Sequence, residues 1–278
     1  MVDVSGMHAR QQYYVDCIER LRGGAVARLE WDKLFGLLDQ LTEGVPLVLQ
    51  PLNTGDKFVR GRILASAQKF DSIRALAYPP KEHCGSYGRC NKPRHPVLYA
   101  GVGTELIFSE IGAKIGDVVG LLHMSPVSQI LCVRLGALNL WRRTSGWCLM
   151  HESMKTEIRR IHQNPEHITA FLLDAFVSDY FGQPGSDETY KLTSAYTTAI
   201  LNSHPEISGL VYDSVDHEAG ACLAIKPDVF DSILKPTEVQ IVQVTNYLGY
   251  GIFDFVELER ASRFEGEKII WTEAESII

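Results

Sequence analysis

The chain has 278 residues, 45% apolar and 22% charged, proportions of a folded globular protein rather than a disordered, collagen-like or disulfide-dense one. Lys and Arg number 27 against 34 Asp and Glu, a net charge of −7, which argues against a general nucleic-acid binder and requires arginines to be grouped locally around any anionic ligand. No run reaches the roughly 20 apolar residues of a membrane span, and the start, Met1 to Gly6, lacks the basic flank and apolar stretch of a signal peptide, so a cytoplasmic protein with no membrane partner is expected.

Residues 8–42 read as helical, because Leu34, Leu37, Leu38 and Leu41 recur at steps of three and four. Gly23-Gly24 predicts a break into two helices, and Gly44 and Pro46 end the stretch. Val48-Leu49 and residues 58–64 then read as short strands. Residues 77–96 hold Pro79, Pro80, Gly85, Gly88, Pro93 and Pro96, which predicts a loop. A compact strand over 97–100 is broken by Gly101-Val102-Gly103. Thr104 is the expected cap of a helix with Ile107, Ile111 and Ile115 along one face. Strands are expected over 118–123 and 129–135. Helical stripes return at Ile168, Phe171, Leu172, Ala175, Phe176 and Tyr180, then at Leu192, Ala195, Tyr196, Ala199 and Ile200. Residues 209–212, 221–225, 239–247 and 252–258 read as strands. This order predicts an α+β fold with a helical leader over 1–45, a domain over 46–265 with a helical insertion at 150–205, and a charged tail over 266–278.

Several motifs are absent. Gly101-Val102-Gly103 lies between a strand and a helix, but Leu106 stands where a dinucleotide fingerprint needs its third glycine. No phosphate-loop lysine follows a glycine cluster, and there is no H-E-x-x-H. Ser214, with His217 nearby, does not sit in a Gly-x-Ser-x-Gly elbow. His83, Cys84, Cys90 and His95 share one loop, but their spacing matches no common zinc site, so no metal is expected.

Three segments remain. The first is Phe58-Val59-Arg60-Gly61-Arg62. The second is Gly88-Arg89-Cys90-Asn91, leading through Tyr99 to the helix that ends near Glu110. The third runs from Gly209 to Ser214, followed by Leu223-Ala224-Ile225-Lys226-Pro227. Singly, each residue has an ordinary structural use: a solvated strand arginine, a surface ion pair, a half-buried aromatic, a helix-surface acid, a turn cap. Together, over about residues 56–260, they resemble the RES domain family, named for its arginine, glutamate and serine. The resemblance implies an ADP-ribosyltransferase-like core of twisted sheets. It further implies a toxin of a toxin–antitoxin pair that destroys NAD, with a cognate antitoxin as partner.

Position by position, Arg60 or Arg62 matches the family's first arginine, with Arg60 preferred, and Arg89 matches the arginine of Gly-Arg-x-Asn. Tyr99 matches the strand tyrosine, Glu110 the glutamate, and Ser214 the serine. Arg94 stands where a glycine is usual, Asp213 replaces a proline, and Ala221-Cys222 stands where an asparagine is often found.

The residue types suit that chemistry. Arginine forks hold phosphate oxygens in pairs, so Arg60, Arg62 and Arg89 are the expected grip on the diphosphate of NAD. Tyr99 offers a flat face to nicotinamide and a hydroxyl for orientation. Cleaving the nicotinamide–ribose bond builds positive charge on the ribose, which a carboxylate stabilises more than it stabilises the ground state. Glu110 is the expected carboxylate, and Ser214 would position the ribose or the attacking group. Glu105 is a rival acid, but it lies at the helix start, where a capping role suffices. Water as acceptor makes a glycohydrolase, and inorganic phosphate as co-substrate makes a phosphorylase. The alternatives are a mono-ADP-ribosyltransferase, whose usual pair of nearby acidic residues does not stand out here beyond Asp216 and Glu218, and a non-catalytic nucleotide-binding module.

Overall fold

The computed structural model describes residues 4–65, 67, 69–148, 150–215 and 220–271. In chain order they form α1 (Val4–Arg20), α2 (Val26–Arg28), α3 (Trp31–Thr42), β1 (Leu49–Leu52), β2 (Phe58–Leu64), β3 (Leu98–Gly101), α4 (Thr104–Glu110), β4 (Val118–Pro126) and β5 (Ile130–Arg134). There follow α5 (Ala137–Arg143), α6 (Glu152–His162), α7 (Ile168–Phe181), α8 (Asp187–Ser203), β6 (Gly209–Asp213), β7 (Ala221–Ile225), α9 (Pro227–Ser232), β8 (Leu234–Gly249), β9 (Ile252–Ala261), β10 (Arg263–Glu265) and β11 (Lys268–Ile270). The fold is α+β, as the order of periodicities predicts. No helix among the described residues is long and apolar enough to cross a membrane.

The chain divides into two compact units: Met1–Pro51, Lys81–Pro96 and Leu131–Asp213 in one, and Leu52–Pro80, Val97–Ile130 and Ser214–Ile278 in the other. This partition cuts across a leader, a core and a tail, because the leader and the helical insertion share a hydrophobic interior. In the first unit α3 packs on α8 and α1 on α7. Leu34, Leu38 and Leu41 are fully buried, as are Leu192, Ala195, Ala199 and Ile200 on α8. The Tyr14 hydroxyl donates to the Leu41 carbonyl at 2.6 Å, satisfying a carbonyl near the end of α3. The helix break falls where predicted, with Gly24 at φ 82°, in the left-handed region. Strands run in the order β1–β5–β6, and β5 and β6 are parallel, with Cys132 opposite Gly209. Asp174 of α7 binds the start of α5, accepting the Gly136 and Asn139 N–H groups at 2.9 and 2.8 Å. Burial pushes its carboxyl up to about 6, against the opposing pull of these N–H groups and of Arg134.

In the second unit six strands run in the order β7–β3–β2–β4–β8–β9, each antiparallel to its neighbour. Gly61 lies opposite Leu121 and Arg60 opposite Leu122, so alternation sends Val59 and Gly61 to one face and Arg60 and Arg62 to the other. Helix α4 covers the first face. Its Ile107 and Phe108 form a core with Val59, Val119, Leu121, Val242, Val244 and Phe253.

Two glycines let α4 lie close to the strands. A Cβ on Gly61 would stand 2.3 Å from Ile107 Cγ2, and one on Gly101 would stand 2.7 Å from Leu106 Cδ2. The helix begins one residue earlier than a Thr104 cap implies, because Gly103, at φ 97°, is the cap and Thr104 is the first helical residue. It also ends earlier than a stripe reaching Ile115 implies. The Ile111 N–H closes on Ile107 at 3.0 Å, Gly112 turns at φ 63°, and Ile115 is left 62% exposed.

Candidate active site

Glu110 is the last residue of α4, so the seating of that helix on Gly61 and Gly101 decides where the carboxylate stands. Ser214 follows directly on β6, and its backbone N–H donates to Gly220 at 2.8 Å. Both side chains are half-buried. The Ser214 hydroxyl donates to Glu110 Oε1 across 104 residues of sequence. A hydroxyl given to a carboxylate is a charge-assisted bond, among the stronger and more geometrically exacting hydrogen bonds. Among the described residues no Lys, Arg or His forms an ion pair with Glu110. Among the described residues its charge is oriented by a neutral donor.

Tyr99 lies on β3, two residues before Gly101 and opposite Ala224 of β7. Alternation puts it on the Gly101 face, the one that α4 covers. β2 and β3 share one register pair, Val59 with Gly101, and Arg60 ties the strands beyond it. Its Nε donates to the Ala77 carbonyl at 3.1 Å and its Nη1 to the Tyr99 carbonyl at 2.8 Å. Burial lowers Arg60 to about 10, reinforced by repulsion from Arg62 and opposed by Tyr99, and the group remains cationic at neutral pH. Arg62 is exposed and donates from Nη1 to the Ala75 carbonyl at 3.0 Å.

Arg89 belongs to the other unit. It sits in a tight turn in which Gly88 N–H donates to the Asn91 carbonyl at 2.9 Å. The buried Asn91 amide donates to Cys84 Sγ at 3.1 Å, anchoring that turn. Arg89 Nη1 donates to the Phe181 and Gln183 carbonyls at 2.6 and 3.2 Å, and the guanidinium lies over the Tyr190 ring at 5.4 Å. Arg94, where the resembled family has glycine, takes φ 64°, the left-handed region that glycine occupies at no steric cost. Asp213, in place of a proline, pairs with Arg134.

The structure thus brings Glu110 together with Ser214, and Arg60 together with the Tyr99 backbone. It puts Arg60 and Arg62 on the sheet face opposite α4, and Arg89 in the first unit. Asp216, His217 and Glu218 lie outside the described residues. Cys84 and Cys90 are buried while His83 and His95 are exposed, and among the described residues no group of His, Cys, Asp or Glu is placed to hold a metal. Sequence reasoning misses the packing roles of Gly61 and Gly101 and the contact made by Tyr190, although a glycine inside a strand is itself a sign of close approach.

Comparison of the chain with protein-family models, with curated proteins and with solved structures found no match.

Proposed function

We propose that the chain is an NAD-consuming enzyme of ADP-ribosyltransferase-like fold that cleaves the nicotinamide–ribose bond, acting as the toxin of a toxin–antitoxin pair. The observation that carries this reading is the bond from Ser214 to Glu110, which joins the acid and the hydroxyl expected to act together although they are far apart in sequence. In the proposed reaction nicotinamide leaves with the electron pair of the broken bond, and the ribose becomes cationic at C1′. Glu110 stabilises that charge and Ser214 keeps the carboxylate aimed, so little reorganisation is needed as charge develops. Water or inorganic phosphate then adds at C1′, and water yields its proton to solvent. Tyr99 supplies the aromatic face for the leaving group. Arg60 and Arg62 brace the carbonyls of Tyr99, Ala77 and Ala75.

The test is incubation of pure protein with NAD, with products identified in water, with phosphate added, and with protein acceptors present. Free ADP-ribose marks hydrolysis, its phosphate ester marks phosphorolysis, and label on a macromolecule marks transfer. Glu110→Gln keeps an oxygen for Ser214 but removes the charge, and should lower turnover by about 10²-fold or more. Folded wild-type protein that leaves NAD intact under all three conditions refutes the reading.

A further inference from the structure

We infer that Tyr190, on the first turn of α8, is a positioning residue that holds Arg89 as a two-pronged phosphate fork; the inference rests on the reading of the chain as NAD-consuming. A guanidinium has five N–H donors in one plane, and its Nε–Nη2 edge meets two phosphate oxygens side by side. In Arg89 the opposite arm is tethered, since Nη1 serves both the Phe181 and Gln183 carbonyls. Those carbonyls lie at the end of α7, where carbonyls lack helical partners and the helix dipole favours a cation. Among the described residues, Nε and Nη2 donate to none.

Tethering through one nitrogen leaves the guanidinium plane free to swing about it. The Tyr190 ring, 5.4 Å from the Arg89 carbon, supplies a face against which that plane rests. The ring in turn needs Gly185: a Cβ there would stand 2.1 Å from the Tyr190 hydroxyl oxygen. Ser186 caps α8 by accepting the Thr189 N–H at 3.1 Å, which sets where the helix starts and so where Tyr190 stands. Arg60 differs on this point, because its Nε is engaged by the Ala77 carbonyl and its Nε–Nη2 edge is therefore not open. Within its own unit the helical insertion therefore orients the fork, because the end of α7 tethers Arg89 and the start of α8 supplies Tyr190.

The experiment measures ADP binding by calorimetry, as a probe of the diphosphate grip, beside NAD turnover, for wild type, Arg89→Gln, Tyr190→Leu and Tyr190→Phe. Tyr190→Leu should weaken ADP binding by about 3- to 30-fold, the range of a cation–aromatic contact, and raise KM for NAD by a similar factor with kcat within about twofold. Tyr190→Phe should retain wild-type affinity, and Arg89→Gln/Tyr190→Leu should bind no worse than Arg89→Gln alone. Thermal melts confirm that each variant is folded. Equal weakening by Leu and Phe, unchanged binding by the Leu variant, additive losses in the double variant, or no ADP binding by wild type overturns the inference. The expected ADP pattern without NAD cleavage upholds the fork and refutes the activity instead.

Discussion

Gly61→Ala tests the claim that α4, and with it Glu110, is seated by a glycine. The added methyl would stand 2.3 Å from Ile107 Cγ2, with Ile111 Cδ1 and Leu121 Cδ2 at 3.4 and 3.5 Å closing the sideways escape. Carbon atoms in contact prefer about 3.5–4.0 Å, so the helix must lift by about 1 Å or more, or β2 must yield. Overpacking of this kind costs about 1–3 kcal/mol, which lowers the melting temperature by roughly 2–4 °C per kcal/mol for a chain of this order. Ile107 and Glu110 share one short helix, so the carboxylate moves with the clash. A misplacement of about 1 Å at a reacting group costs roughly 10²-fold in rate.

The assay is thermal unfolding and NAD turnover of wild type, Gly61→Ala, Ile107→Ala and the double variant. Ile107→Ala alone opens a cavity in the core at a cost of about 2–5 kcal/mol. In the double variant the new methyl occupies space that Ile107 vacated, so the two losses should fall short of additive by more than about 0.5 kcal/mol. Unchanged melting and turnover in Gly61→Ala, or strict additivity in the pair, would refute the reasoning.

Two further predictions concern stability. Arg60→Lys keeps the charge but cannot serve the Ala77 and Tyr99 carbonyls with a planar fork; at about 1–3 kcal/mol for each buried acceptor left unmet, the denaturation midpoint should fall clearly, while exposed Arg62→Lys should change it by less than about 0.5 kcal/mol. An Arg60→Lys protein as stable as wild type would count against the brace. Asp174 has its folded value raised to about 6 from 3.8, so the native state holds the proton more tightly. Its contribution is fully present below pH 3.8 and is lost as pH rises through about 6, a change of at most about 3 kcal/mol. The stability advantage of wild type over Asp174→Asn, measured by urea unfolding between pH 4 and 7, should therefore shrink with rising pH, and a constant difference would contradict it.

The elements legible from the sequence are those whose period reports burial. The Leu34–Leu41 stripe, the strand over Phe58–Leu64 and the Gly23-Gly24 break all appear where predicted, because each is marked by a local pattern. Less legible are elements whose existence depends on distant partners. α5 follows a glycine and is held at its start by Asp174, about 35 residues away. The membership of the leader and insertion in one unit depends on α3 meeting α8, and neither stripe names its partner. The end of α4 is hidden in the sequence because Ile115 continues the helical spacing while Gly112, at φ 63°, has already turned the chain.

The three arginines show what residue type and spacing leave open about a binding candidate. All carry the same charge, and the sequence prefers Arg60 to Arg62 by its place in a motif and names Arg89 beside it. Yet phosphate recognition depends on which edge of the guanidinium is presented, and that is decided by acceptors far along the chain. Arg60 gives Nε to Ala77 and one Nη1 hydrogen to Tyr99, so its Nε–Nη2 edge is already taken at one prong. Arg62 gives Nη1 to Ala75 and lies exposed, where holding a long side chain in one geometry is least favourable. Arg89 is fixed through Nη1 by carbonyls more than ninety residues away and rests on Tyr190, so its paired edge is both presented and oriented. A fork fixed before its ligand arrives loses less conformational freedom on binding. By that criterion Arg89 is, of the three, the one whose paired edge is both open and held, while Arg60 supports the Tyr99 backbone.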